Sequence, residues 1–497
     1  MPEPDSKSHV CIVGAGISGL RCADILLSRG FQVTILEARD RIGGRICQSD
    51  ALGYTVDIGP NWIHAWTDSD EPHPIYKLAK DTNTPLHYWN NKQLIFDSEG
   101  NPLPSEQTER LSTLLWEIID EAFKFSEKAR DENCGKAIPS SDSLQDFIRR
   151  RADELVPDES ERKLLVQMSE VFGAYVGEPV WKQSLRFAWM EECCGGEEMF
   201  VESTFSSILA LAANPALTHP NAKIHLSTLV TSITTPLSRS PSSKVTLTTS
   251  TSPNTPLTFD EVIVTTPLGY LKHHHPTLFS PPLPPRLVSA ISSLSLSQLE
   301  KVYVTFPRVF WNPDPAADTF PCYTNWLTPS YAPETNPSGW PQEIWDLSTF
   351  KEPNNRPTIL FYLYGDCSRH VVNMIHGKPA EEKQKLLEEF FNPYYSKLPG
   401  WSEEDEGCKP KAILATEWLK DELSGFGSYC NFQVGAEEAD RDVLAIREGC
   451  PERRLWFCGE HAAPFEECGT VAGAYLSGEA VGKRVAEVYG MGDGKGC

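Results

Sequence analysis

Val10-Cys11-Ile12-Val13-Gly14-Ala15-Gly16-Ile17-Ser18-Gly19 opens the first ordered pattern of the chain, and Phe31-Gln32-Val33-Thr34-Ile35-Leu36-Glu37 closes it. The four apolar residues at the start read as a buried parallel strand. A glycine turn follows at once, then a helical pattern (Leu20, Ala23, Ile25, Leu26, Leu27) that ends at Gly30. The second apolar run is another strand, tipped by Glu37. Each part has a physical task. Gly14 permits the tight turn, Gly16 lets backbone approach a pyrophosphate, and Gly19 lets helix pack on strand. The helix N-terminus offers free N–H groups and a positive dipole end to phosphates. Glu37 can accept hydrogen bonds from ribose hydroxyls. Strand, loop, helix, strand and acid in this order predict a Rossmann-type dinucleotide-binding unit. The unit alone does not separate NAD from FAD.

The next residues do. Glu37-Ala38-Arg39-Asp40-Arg41-Ile42-Gly43-Gly44-Arg45 resembles the extension found in the FAD-dependent amine oxidase superfamily. There the paired glycines let backbone crowd the cofactor, and the arginine matching Arg45 lies against its phosphates. At the other end, Leu455-Trp456-Phe457-Cys458-Gly459-Glu460-His461 reads as a strand ending in a glycine and an acid. Gly469-Thr470-Val471-Ala472-Gly473 then starts a helix running to about Tyr489. This segment is similar to the C-terminal flavin motif of the same superfamily, where the acid matching Glu460 bonds the ribityl chain and the N–H at Val471 faces the pyrimidine edge.

The resemblance implies an α/β, two-domain flavin amine oxidase fold, with a Rossmann-type FAD-binding domain and an α+β substrate domain. The expected FAD domain is discontinuous, collected from residues 1–75, 200–290 and 420–490. The substrate domain takes 76–199, largely helical, and 291–419. Residues 224–233 and 244–249 read as strands, and the Pro-rich run 307–341 reads as a long loop. Cofactor contacts are expected at Gly14, Gly16, Ile17, Ser18, Gly19, Glu37, Ala38, Arg39, Gly44, Arg45, Gly59, Pro60, Asn61, Trp62, Val230, Trp418, Gly459, Glu460, Thr470 and Val471.

On the substrate side, Gln298-Leu299-Glu300-Lys301-Val302-Tyr303-Val304 resembles the strand that bears the active-site lysine of the superfamily, where Lys301 would hold a water against flavin N5. On its own, a lysine in an alternating strand reads as a solvated face. Gly59-Pro60-Asn61-Trp62-Ile63-His64 resembles the active-site loop of polyamine oxidases, which places His64 beside the flavin; the plain alternative is a packing histidine. The segment from Ser424 to Tyr429 resembles the one that lays an aromatic wall opposite the flavin, with Tyr429 as the wall and Thr470 in place of a second tyrosine. The covalent attachment of monoamine oxidases uses a cysteine just before that tyrosine. Here Ser428 stands there, so FAD is expected to be noncovalent. The catalytic set implied is Lys301, His64 and Tyr429; the substrate-binding set is His64, Glu191, Tyr429 and Thr470. Glu191, Glu192, Glu197 and Glu198 form an acidic cluster that reads equally as a solvated face. His273-His274-His275, taken as extended chain, would point alternately and hold no metal.

Composition agrees with a globular enzyme. The chain has 497 residues, of which 40% are hydrophobic and 23% charged, and it has no apolar run long enough to span a bilayer. The net charge of -23 argues against nucleic acid and would concentrate cationic substrates. Fourteen cysteines are scattered without regular spacing, with Cys193-Cys194 the one close pair, which favours a reduced, cytoplasmic setting. The implied reaction is oxidation of a polyamine or related amine by hydride transfer to flavin N5. It yields an imine, then an aldehyde and a shorter amine, and O2 becomes hydrogen peroxide. A lysine-specific histone demethylase, an L-amino-acid oxidase using an arginine such as Arg186, and a flavin-bound binding protein without turnover are the alternatives. The oligomeric state is not legible.

Overall fold

The computed structural model of the protein describes residues 8–65, 73–90, 92–191, 197–312, 314 and 320–491. Glu192, Cys193, Cys194, the side chain of Glu197 and both chain ends lie outside that description.

A five-stranded parallel sheet carries the first motif, in the order Leu455–Phe457, Glu261–Val264, His9–Val13, Gln32–Leu36, Ala222–His225. The central strands are almost wholly buried, as unbroken apolar runs demand when both faces are covered. From His9–Val13 the chain crosses through helix Ile17–Ser28 to one side, and it comes back at Glu261–Val264 on the other. Beyond the carboxyl ends of those two neighbours lies the crevice where open parallel sheets bind ligands. The last helix, Val471–Val488, packs on Ile17–Ser28. A Cβ on Gly478 would sit 2.1 Å from the Ser18 carbonyl oxygen, so the two ends of the chain meet at a distance only glycine allows.

The second large sheet has six strands: Ala412–Ala415, Leu299–Thr305, Thr358–Tyr364, Gln342–Asp346, Tyr323–Trp326 and Gln93–Phe96. All neighbours are antiparallel except the last pair. Helices Ser105–Asp131, Leu144–Leu155 and Glu159–Met168 belong to the same half. The second begins at a capping box in which Ser143 and Asp146 satisfy each other's backbone N–H, and the third is capped by Asp158. A small sheet of Trp62–Ala65, Glu197–Val201 and Leu86–His87 sets His64 directly opposite Glu198.

Three local expectations change. The 307–341 run contains the strand Tyr323–Trp326, buried at every position, because its four residues pair on both sides despite the prolines around them. The strand Leu299–Thr305 does not alternate; it is buried on both faces from Glu300 onward. The three histidines lie on helix Leu268–Leu278, not on extended chain. They diverge by the helical turn, His273 Nδ1 lying 2.7 Å from the Gly269 carbonyl oxygen and His274 Nε2 lying 3.0 Å from Glu422.

The parallel sheet is tied to the C-terminal segment by a buried charge. Glu261 is fully buried and accepts from Arg454 Nη1 at 2.9 Å, Trp456 Nε1 at 2.9 Å and Tyr489 Oη at 2.8 Å, with Arg239 as a second cation. Removing one partner of such a cluster strands the others in a dry interior, at a cost of roughly 3–5 kcal/mol. Glu261→Ala should therefore lower the denaturation midpoint followed by tryptophan fluorescence; an unchanged midpoint would show that this cluster contributes little to the sheet.

Candidate active site

One cavity runs from the glycine turn to the inner face of the six-stranded sheet. Its walls include Gly14, Gly16, Ile17, Ser18, Glu37, Ala38, Arg39, Gly44, Arg45, Gly59, Pro60, Asn61, Trp62, His64, Glu191, Val230, Lys301, Trp418, Tyr429, Gly459, Glu460, Thr470 and Val471. Gly19 is not in the wall. It packs instead, since a Cβ there would lie 2.3 Å from the Gly14 carbonyl oxygen.

The residues present fit a dinucleotide. Gly14 holds a φ of +111°, and its N–H donates to the Leu36 carbonyl at 2.9 Å, fixing the turn. A Cβ on Gly16 would meet nothing within 4 Å, so the backbone there faces open space. Among the described residues, helix Ile17–Ser28 has no side-chain cap, which leaves its first N–H groups for a ligand, and the buried Ser18 hydroxyl has no partner. Glu37 accepts from the Ala15 and Arg39 N–H groups at 2.6 and 2.8 Å, which aims its carboxylate at the crevice.

Both ends of the chain lock together in this wall. Arg45 Nη1 donates to the Ser428 carbonyl at 2.5 Å and to Glu460 Oε1 at 3.1 Å. Burial works against the Glu460 charge, but the neighbouring Arg45 and His461 hold the carboxyl far below its ordinary range. Cys430 N–H donates to the other oxygen at 3.2 Å. Arg39 pairs with Asp421 at 2.7 Å. Thr470 caps the last helix, its hydroxyl accepting from Gly473 N–H at 2.8 Å and donating to Glu467, so the cap uses that hydroxyl.

The far half of the cavity is aromatic and acidic. Lys301 is 5% exposed, donates to the Gly59 carbonyl and lies 5.7 Å from the centre of the Tyr362 ring. Burial pulls its ammonium well below the ordinary value, against the opposing charges of Asp57 and Glu300. Asn61 accepts from Tyr362 Oη at 2.9 Å, and Trp62 Nε1 donates to the same hydroxyl at 3.0 Å, which holds the loop on the sheet. Trp418 Nε1 donates to the Ile58 carbonyl at 3.1 Å. Tyr429 lines the wall with its hydroxyl donating to the Tyr175 carbonyl at 2.8 Å. His64 Nδ1 lies 3.8 Å from Glu198 Oε1, and Tyr175 Oη donates to Glu198 Oε2 at 2.8 Å. Despite desolvation, these neighbours hold Glu198 below its ordinary value. Glu191 accepts from the Phe432 N–H at 3.0 Å, and burial pushes its carboxyl up to about 8.

Of the acidic cluster, Glu191 and Glu198 reach the cavity. Arg186 does not; it is buried elsewhere, on the Ile138 carbonyl at 2.7 Å and Glu437 at 2.9 Å. Sequence reading missed Tyr175, Glu343, Trp345 and Tyr362, which also line the cavity. They come from three separate elements, and no local spacing marks them.

A family model described as flavin containing amine oxidoreductase matches residues 17–486, and the chain belongs to that family. Polyamine oxidase 5 of Oryza sativa subsp. japonica is 27% identical over 488 residues, covering 95% of this chain and 86% of the relative. Lysine-specific histone demethylase 1 homolog 3 of Arabidopsis thaliana is 25% identical over 534 residues, covering 99% of this chain but only 30% of the demethylase. A solved double mutant of putrescine oxidase, made to redesign cofactor binding, shares the fold with a TM-score of 0.67 at 17% identity, over 97% of this chain and 100% of that one. As a member of that family, the protein is a flavin-dependent amine oxidase, with FAD as its cofactor.

Two outcomes follow for the cofactor. Ser428 donates to the Leu299 carbonyl at 2.6 Å and offers no thiol for attachment. Acid precipitation should therefore leave the yellow cofactor in the supernatant, and colour kept in the pellet would refute noncovalent binding. Glu37→Ala and Arg45→Ala should each purify with reduced flavin content, since each strands buried partners at about 1–3 kcal/mol. Full flavin occupancy in both variants would remove these residues from the cofactor wall.

Proposed function

We propose that this flavin-dependent amine oxidase acts on polyamines or closely related amines. The observation that carries the reading is the charge of the far cavity. Its carboxyls, Glu191, Glu198 and Glu343, face it without a lysine or arginine partner among the described residues. Its lysine, Lys301, is driven toward neutrality, and the arginines of the cavity stand in the other half, Arg39 on Asp421 and Arg45 on Glu460. Such a cavity favours an ammonium and repels the carboxylate of an amino acid. Arg186, the candidate for that carboxylate, lies outside it.

Bound FAD supplies the two-electron acceptor that turns the amine into an imine and passes the electrons to O2, giving hydrogen peroxide. The chain's own residues prepare the amine. An amine that enters as ammonium has no lone pair to assist loss of its α-hydrogen, so it must first give up a proton. His64 can take that proton on its ring, and Glu198, 3.8 Å from the buried Nδ1, stabilises the charge. The aromatic faces of Tyr429 and Trp62 exclude water and hold the amine. Lys301, close to neutral, can hold a water at Nζ or move a proton there without bringing a full charge into the dry cavity. Such a water would stand ready for proton transfer when FAD is bound. The histone demethylase resemblance supports a second reading, the same chemistry on a methylated lysine side chain of a peptide.

Anaerobic mixing with a panel of polyamines, monoamines, amino acids and methyl-lysine peptides should bleach the oxidised flavin band with polyamines first. Bleaching by amino acids or peptides alone would overturn the substrate assignment. Lys301→Met should keep FAD and slow one flavin half-reaction by more than about tenfold, or ~1.4 kcal/mol of barrier. His64→Ala should change amine affinity more than flavin content. Wild-type rates in both half-reactions of Lys301→Met would return Lys301 to a packing role.

A further inference from the structure

The far cavity holds a carboxyl that neither the cofactor nor the oxidation step uses. Glu343 sits in the strand Gln342–Asp346, is 4% exposed and lines the cavity. Tyr323 Oη donates to its Oε2 at 3.0 Å, and Asn325 Nδ2 donates in turn to that hydroxyl at 2.8 Å. The phenols of Tyr175, Tyr362 and Tyr364 lie close enough to sense its charge. Burial pushes the carboxyl up to about 8, and only hydrogen bonds from Tyr323 and Trp345 oppose it. No lysine, arginine or histidine pairs with it among the described residues.

A carboxyl in the middle of a buried strand is costly without a cation, and glutamine would satisfy Tyr323 equally well. The missing countercharge is what an incoming ammonium carries. The surroundings suit that ion. Trp345, two residues along and so on the same face of the strand, also lines the cavity and packs edge-on to Trp62 at 4.8 Å. Tyr175, near Glu343, donates to Glu198 at 2.8 Å, so one phenol stands between two carboxyls. Carboxyl and aromatic faces together bind ammonium better than either alone.

We propose that Glu343 is a specificity-determining residue that receives a second ammonium group of the substrate, so that the enzyme prefers di- and polyamines to monoamines of equal length. The inference rests on the amine-oxidase reading and adds the residue that sets the preference. The test compares n-alkylamines with α,ω-diaminoalkanes of the same chain length on the FAD-loaded enzyme, reading affinity from the concentration dependence of anaerobic flavin reduction. The wild type should favour the diamine. In Glu343→Gln the ratio of diamine to monoamine affinity should fall by at least about tenfold. Glu343→Asp, which keeps the charge but retracts it by one methylene, should move the optimum to a longer diamine; this variant decides the matter if the glutamine variant loses its flavin. Flavin bleached by both amines, with ratio and optimum unchanged in the variants, overturns the role of Glu343 and leaves the amine-oxidase reading standing. Flavin that no amine bleaches in the wild type overturns both.

Discussion

Arg45 and Glu460 are 415 residues apart in the chain and 3.1 Å apart in space. Much of the cavity wall near the glycine turn depends on that contact. Arg45 ends the loop in which Gly43 and Gly44 both adopt positive φ, and Glu460 follows the strand Leu455–Phe457. Pairing them presses the first βαβ unit and the last strand–helix unit into one surface. A buried pair of this kind adds modest net stability, because desolvation consumes most of the Coulomb gain. Breaking it, however, leaves a carboxylate buried at Glu460 without its cation. The pair therefore makes one arrangement of the two chain ends far cheaper than its alternatives.

The same wall was the most legible part of the sequence, for a local reason. Gly14, Gly16 and Gly19 are demanded by backbone geometry within a few residues of one another, and so are Gly459 and Glu460. The far cavity was legible only where a short segment carried its own pattern, as with Gly59 to His64 and Leu299 to Val304. Even there the stated pattern was wrong, since the Lys301 strand is buried on both faces and does not alternate. Glu343, Tyr175 and Tyr362 meet through the pairing of distant strands and a short helix, and nothing in their immediate neighbours announces it. The histidine run failed differently. Pro276 lies inside the helix Leu268–Leu278, and a proline near a helix end is tolerated where tertiary packing holds the last turn.

Charge divides the cavity as sharply as shape does. Near the glycine turn, cations and backbone N–H groups face a site suited to phosphate, and the cations are held in place by acids behind them. On the far side the order is reversed: carboxyls face the space, and phenols stand behind them. A molecule negative at both ends would be rejected by the second half, and a wholly apolar one would leave buried acids without a partner. On the proposed polyamine reading, the arrangement would select cations by the cost of leaving these groups unpaired, which discriminates more strongly than added apolar contact can.

Lys301 shows why the residue type at the junction of the two halves matters. It lies in a strand buried on both faces, between Asp57 and Glu300 in charge and beneath the Gly59 carbonyl. An arginine there would remain charged at any working pH and would pull both acids toward a fixed salt bridge. A methionine would pack but could neither hold nor move a proton. Lysine, unlike arginine or methionine, can be driven toward neutrality by burial and still donate. Burial also raises Asp57 to about 7, so at both groups desolvation, which disfavours the charged form, works against their mutual attraction, which favours it. A sheet that merely needed packing would have no use for two ionisable groups balanced in this way, which supports the proton-handling role proposed for Lys301.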